Sequence, residues 1–206
     1  MKVLDYKTDK RVTTYCNGLD DRDIGDDGNY TNVKQYIDRC REVGNILLDK
    51  AKHLEHNSKR GCAGLACNQL GITDVRVFVS KIGADVYKNT SGRWTIFAEP
   101  YTHTSSNHYY THEGCLSVKN KKHHSVLVLR WDFKDLRCLD LGVTDRAKWK
   151  RYELYKDFNR WESQVFQHEI DHLNGETIID NNKLYLKGAK FVDNMNPFEL
   201  DIEENE

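Results

Sequence analysis

His168-Glu169-Ile170-Asp171-His172 sets two imidazoles four residues apart, with a carboxylate directly after the first. On a helix that spacing stacks both rings on one face, one turn apart, where a single cation can touch both. Glu169 then leans to the side of that face, near a bound ion without having to ligate it. A carboxylate so placed can take a proton from an attacking water and pass it on, as in hydrolases that cut amides with a metal's help. A pair of hydrogen-bonded core histidines satisfies the same spacing, so the surrounding sequence must decide.

The flanking residues predict a helix. Between Phe158 and Leu173, residues Trp161, Val165, His168 and His172 fall on one stripe, with Phe166, Ile170 and Leu173 beside it. Gly175 stands just past the last periodic residue, where a left-handed cap ends a helix. The two histidines therefore lie on or next to the buried face.

A chain of 206 residues fits one domain, residues 1–206, with a real core. Net charge is −1, so no global field points to nucleic acid or to an acidic membrane. No apolar run approaches the length of a bilayer span, and Met1-Lys2-Val3-Leu4-Asp5 lacks a signal peptide's apolar stretch, so a cytoplasmic location is expected. The cysteines at 16, 40, 62, 67, 115 and 138 form no CxxC pair. In a reducing compartment they read as buried thiols or ligands rather than disulfides.

Outward from the motif, residues 1–30 are polar, with an acidic loop at Asp20-Asp21-Arg22-Asp23 and Asp26-Asp27-Gly28. A long helix is expected from Thr31 or Asn32, where Gln35 can close a capping box on Asn32. Its stripe of Val33, Tyr36, Ile37, Cys40, Val43, Leu47, Ala51 and Leu54 runs to about His56. The stretch from Gly61 to Gly71 is rich in small residues, and Val75, Val77 and Val79 then alternate as a strand. Trp94–Ala98 and Val126–Phe133 are further strands, the latter with Leu127, Leu129, Trp131 and Phe133 on one face. Short apolar pieces at Thr177–Ile179 and Leu184–Leu186 precede an acidic tail at 199–206. Strands between two long helices, without regular alternation, predict an α+β domain.

Two histidines leave a zinc-like ion one protein ligand short of an open catalytic site, which takes three plus water. After His172 only scattered carboxylates are available. Upstream stands Glu113-Gly114-Cys115-Leu116-Ser117, a cysteine in a small-residue turn. Read alone, Cys115 is an inert buried thiol. With two imidazoles, its thiolate makes a tetrahedral site with one position free.

These segments resemble the peptide deformylase family, which is marked by three separated motifs in fixed order. Gly64-Leu65-Ala66-Cys67-Asn68-Gln69 resembles the glycine-rich first motif, usually G-x-G-L-A-A-x-Q. Glu113 to Ser117 matches the second, E-G-C-L-S, at every position. Gln167 to Gly175 matches the third, Q-H-E-x-D-H-L-x-G, likewise. The resemblance spans about residues 61–175.

What the resemblance implies is specific. Such enzymes remove the formyl group from the N-terminal formylmethionine of nascent chains and release formate. The expected fold is a single α+β domain, with antiparallel or mixed sheets packed around a central helix that carries the two histidines, and a long N-terminal helix. One divalent metal, Fe²⁺ in many members and replaceable by Zn²⁺, Ni²⁺ or Co²⁺, would be held by Cys115, His168 and His172. Glu169 would be the general base and then the acid. Gln69 and the backbone N–H of Leu116 would meet the oxyanion. The substrate would lie against Cys62, Ala63, Gly64, Leu65, Glu113, Gly114, Trp161, Gln164 and Val165. Expected partners are N-formylmethionyl nascent peptides, with a transient ribosome contact compatible with that role. No direct nucleic-acid or membrane partner is expected.

Several positions depart from the family pattern. Cys62 replaces the first glycine of motif one, Ala63 follows, and Cys67 stands where an alanine is usual, changes expected to enlarge side chains along the groove. Glu99-Pro100 stands for the usual Asn-Pro. After Ser117 the family's proline and later arginine give way to Val118-Lys119-Asn120-Lys121-Lys122-His123-His124, whose lysines lack a bidentate fork. That basic run reads as a solvated hairpin tip, and His53 and His56 as partners of a helix C-terminus. His103, His108 and His112 receive no role. Two further readings stay open here. One is a hydrolase of the same fold with altered acyl-amide or peptide specificity, motivated by Cys62, Cys67 and Gln164. The other is a catalytically silent metal-bound protein, which would need neither Glu169 nor Gln69.

Overall fold

Alternating apolar residues after Gly71 produce a meander in which every strand pairs antiparallel with its sequence neighbour. The strands are β1 (Gly64–Ala66), β2 (Val77–Asp85), β3 (Thr90–Glu113), β4 (Val126–Leu139) and β5 (Trp149–Glu153), in the order β1-β2-β3-β4-β5. Two helices pack on this sheet, α1 (Tyr30–Asn57) on β2 and β3, and α2 (Arg160–Leu173) on β1, β2 and β4. The arrangement is α+β. This computed structural model describes residues 1–5, 7–19, 30–57, 61–85, 90–118, 126–139, 141, 149–154 and 156–180. The acidic loop, the basic run Lys119–His124, Leu184–Leu186 and the acidic tail lie outside the described residues. Among the described residues, no helix is long and apolar enough to cross a membrane.

The core forms where β2 and β3 meet α2. Phe78 and Phe97 are directly paired across the strands and stack at 4.7 Å, and Phe166 of α2 lies 5.0 Å from Phe97. The expected α1 stripe supplies Ile37, Cys40, Val43, Leu47 and Ala51, all buried. The helix already begins at Tyr30, so Asn32 stands inside its first turn rather than at a cap.

Four local outcomes differ from the sequence pattern. In β4, Trp131 does not join Phe133 in the core; it is 41% exposed and meets His108 edge-on, while Val128 and Arg130 on the other face are buried. Arg130 is held there by the carboxylates of Glu113 and Asp171, which lets this face be buried as well as the one that carries Leu129 and Phe133. Strand β5 (WKRYE) carries too few apolar residues to announce itself, and exists through its pairing with β4. Ile178–Asp180 is helical, and Thr177 caps it by accepting from Ile179 N–H at 3.3 Å. The polar N-terminal segment is built into the core: Val12 and Cys16 are fully buried, and Leu4 N–H donates to the Gln69 carbonyl at 2.8 Å.

Both ends of α2 are fixed by side chains and by shape. Asn159 caps the N-terminus by accepting from Glu162 N–H at 3.0 Å, and Glu162 accepts in return from Asn159 N–H at 2.6 Å. Past the C-terminus Gly175 takes φ +79°, and a Cβ there would lie 2.8 Å from the Thr13 carbonyl oxygen. The histidine-bearing helix is thereby clamped between β2 and the N-terminal segment.

Candidate active site

Helix α2 presents its polar residues to separate partners. Gln167 docks the helix on β4: its Oε1 accepts from Trp131 N–H at 2.9 Å and its Nε2 donates to the Trp131 carbonyl at 2.8 Å. His168 and His172 follow on the face toward Cys115, their rings 5.0 Å apart. Ligand atoms of Cys115, His168 and His172 all lie within 4.8 Å of one another, and all three residues are buried. Cys115 Sγ lies 3.2 Å from His172 Nε2.

A set of ion pairs behind the histidines fixes their orientation. His168 Nδ1–H donates to Glu113 Oε2 at 2.8 Å, which turns Nε2 toward the thiol. Glu113 is gripped in turn by Arg130, whose Nε and Nη2 donate to its two oxygens at 2.6 Å each; Arg130 Nη1 reaches Asp171. Burial would raise the Glu113 carboxyl, but Arg130 and His168 overcome it and hold it at about 2. Asn68 Nδ2 donates to the His172 carbonyl and to that of Val12, tying motif one to α2 and to the N-terminal segment.

Charge at the centre suits a cation. Burial pushes the Cys115 thiol up, yet the charge of His172 and hydrogen bonds from both histidines bring it well below its ordinary value. Burial also works against protonated His168, and its bonds to Cys115 and Glu113 reverse that and raise it well above an ordinary histidine. A thiolate and two imidazoles with one opposing carboxylate fit a divalent ion with an open fourth position. Glu169 is only 3% exposed, its Oε2 has no hydrogen-bond partner among the described residues, and burial raises it to about 7 despite the histidines. It is the one carboxylate here left uncommitted to protein donors.

These groups open into a cavity of about 470 Å³. Its walls include Glu169, Gln69, Cys115, Leu116 and His168, with Cys62, Ala63, Gly64, Glu113, Gly114, Trp161, Gln164 and Val165 around them. Leu65 is not among them; it points into the core, as β1 alternation requires once Gly64 faces the site. Cys67 is likewise fully buried, 3.5 Å from Cys16 Sγ, so it does not enlarge the groove. Cys62 does line it, and burial pushes its thiol up to about 12. Gln69 is held by the motif itself: its Oε1 accepts from Ala66 N–H at 2.9 Å, and its Nε2 lies 3.2 Å from Ser117 Oγ and 3.8 Å from Cys115 Sγ. Gly64 is required by contact, since a Cβ there would sit 2.6 Å from Glu169 Oε1.

Sequence reasoning assigned no role to Arg130, Asn68, Ser117 or His112, the last of which also lines the cavity. Arg130 has no spacing signal, because it reaches Glu113 by strand pairing across 17 residues.

The polypeptide deformylase family model matches residues 29–187. The peptide deformylase of Wolbachia sp. subsp. Brugia malayi is 27% identical over 144 residues, covering 67% of this chain and 70% of that protein. Peptide deformylase 2 of Coxiella burnetii is 29% identical over 150 residues, 69% of this chain and 66% of that protein. Among solved structures, a class I type b peptide deformylase from Acinetobacter baumannii superposes with a TM-score of 0.56 at 19% identity, covering 86% of this chain and 96% of that one. Peptide deformylase 1B of Arabidopsis thaliana, in complex with an inhibitor, gives 0.59 at 17% identity, covering 99% and 93%. The structural likeness carries the fold, and the family match carries the lineage over most of the length. The chain belongs to the polypeptide deformylase family.

Proposed function

We propose that this enzyme uses Cys115, His168 and His172 to hold one divalent ion, with Fe²⁺ and Zn²⁺ the two that suit such a donor set. The reaction is that of its family: hydrolysis of the formyl group from the N-terminal formylmethionine of nascent polypeptides, with release of formate. One observation carries the reading of the site. Glu169, a buried carboxylate free at Oε2 among the described residues, faces the same cavity as the converging thiol and imidazoles.

When bound, the ion supplies a Lewis acid that polarises the formyl carbonyl and makes water acidic near neutral pH. Glu169 takes the proton from the attacking water and delivers it to the leaving amine. Gln69 Nε2 and the Leu116 N–H donate to the carbonyl oxygen as negative charge builds on it. Glu113, through Arg130, keeps the His168 ring from turning. The peptide runs along Cys62, Ala63 and Gly64 on one wall and Gly114 on the other, with its first side chain toward Trp161, Gln164 and Val165.

The test is formate release from formyl-Met-Ala-Ser by anaerobically purified protein, beside the acetylated peptide, for the parent and Glu169→Gln. The reading expects turnover of the formylated peptide alone, and loss of about 10²–10⁴-fold in the variant with metal content unchanged. Equal rates on both peptides, or an active Glu169→Gln enzyme, would overturn it.

A further inference from the structure

Away from the catalytic cavity, strand register sets three side chains in a row across one face of the sheet. Tyr101 pairs with Arg137, and Arg137 pairs with Arg151. Directly opposed like charges weaken a sheet, so their persistence asks for a counter-charge. Arg151 has one, Asp135 at 2.6 Å. Arg137 has no carboxylate partner among the described residues, and lies instead over the Trp149 ring, 5.6 Å from its centroid. These side chains and Lys134 line a hollow of about 580 Å³ around one carboxylate, while the Lys150 ammonium lies over Tyr152 on the other face of β5. That carboxylate, Asp135, is buried and also bound by His103 at 2.8 Å. A second hollow adjoins the first through Arg137 and Trp149, and carries Tyr101, Glu99 and Tyr15, whose ring lies under the Arg76 guanidinium at 4.9 Å.

We propose that this face binds single-stranded RNA, with Arg137 and Arg151 on phosphates and Trp149 and Tyr101 as stacking platforms for bases. The exposed aromatics favour RNA over an acidic peptide. Tyr15, Tyr101 and Trp149 are 59%, 58% and 36% exposed beside the cations, and flat rings interleaved with arginines read bases as well as charge. A chain of net charge −1 has no general attraction for polyanions, so the affinity must be local to this patch. None of these residues lines the catalytic cavity, and the proposal does not depend on how that cavity works.

Fluorescence anisotropy with a fluorescein-labelled 12-nucleotide oligouridylate, read between 25 and 200 mM NaCl, tests it on the full chain. With about two phosphates neutralised, the slope of log affinity against log salt is expected near −1.4, about −0.7 per contact. Arg137→Ala should weaken binding and make the slope shallower by about 0.7, while Trp149→Ala should cost roughly 5- to 150-fold and leave the slope unchanged. Unchanged melting temperature and deformylation rate would confirm that both variants are folded; Arg137→Lys and Trp149→Phe, which should retain most binding, serve if either is not. No saturable binding at 25 mM NaCl, or binding indifferent to Arg137 and Trp149, would overturn the proposal. So would competition by poly-glutamate as strong as by RNA, which would assign the face to an acidic protein.

Discussion

Replacing Arg130 with methionine keeps much of the side chain's volume and removes the guanidinium that pairs with Glu113 and Asp171. Arg130 and Glu113 are 3% and 4% exposed at their side chains, and two hydrogen bonds of 2.6 Å join them. The variant therefore leaves a buried carboxylate with His168 as its remaining partner. Orphaning one member of a buried pair costs about 3–5 kcal/mol. For a chain of this size each kcal/mol shifts Tm by about 2–4 °C, so the loss should be roughly 6–20 °C. His168 would lose the fixed acceptor that aims its ring, and disturbing such an outer partner of a metal ligand weakens metal binding about 10- to 100-fold. Thermal unfolding and competition for Zn²⁺ with a chelator measure the two effects. The double variant Glu113→Gln/Arg130→Met removes the orphaned charge and should recover part of the lost stability. A single variant melting within about 2 °C of the parent with equal metal affinity would refute the reasoning. So would a double variant no more stable than the single one.

Gly64→Ala should push Glu169 off its position, because the new Cβ would meet Oε1 at 2.6 Å, and kcat should fall by about 10²–10⁴ with metal retained; an undiminished kcat counts against Glu169 as the base. On the proposed role of Gln69 as a donor to the developing oxyanion, Gln69→Ala should cost about 100- to 1,000-fold in kcat with little change in KM, read from steady-state formate release. Cys115→Ser replaces the thiolate by a poorer ligand, so elemental analysis after dialysis should find less metal than in the parent, and equal content would contradict the ligand set. Burial raises the Glu99 carboxyl above its ordinary value, although Tyr36 and Arg76 oppose it. An acid raised in the folded state loses stability as pH climbs through and above the usual carboxylate range. Glu99→Gln should therefore melt higher than the parent at pH 7, with the gap closing as pH falls below 4; a gap independent of pH would exclude the charge as its cause.

The residues that meet around Cys115 were legible because each leaves a local trace. The i, i+4 histidines need only helical periodicity, and Gly175 marks where that helix must stop. Cys115 and Gln69 stand far off in sequence, and only the ordered motifs connect them to the helix. What stayed hidden depends on strand register, which single-sequence patterns do not encode. Arg130 lies in the expected strand between Leu129 and Trp131, and its sequence neighbours give it no role. Pairing with β3 sets Arg130 opposite Tyr109 and places its guanidinium against Glu113, so charge satisfaction lets this face be buried as well as the one that carries Leu129 and Phe133. The motif resemblance places Leu65 and Cys67 in the groove beside Gly64, and the structure turns both into the core. In an extended strand successive side chains part company, so Gly64 can face Glu169 only if Leu65 faces the core. The same logic produces the Tyr101–Arg137–Arg151 row, whose members are 36 and 14 residues apart along the chain. Sequence period locates functional groups that share one helix; those assembled across a sheet come into view only with the register.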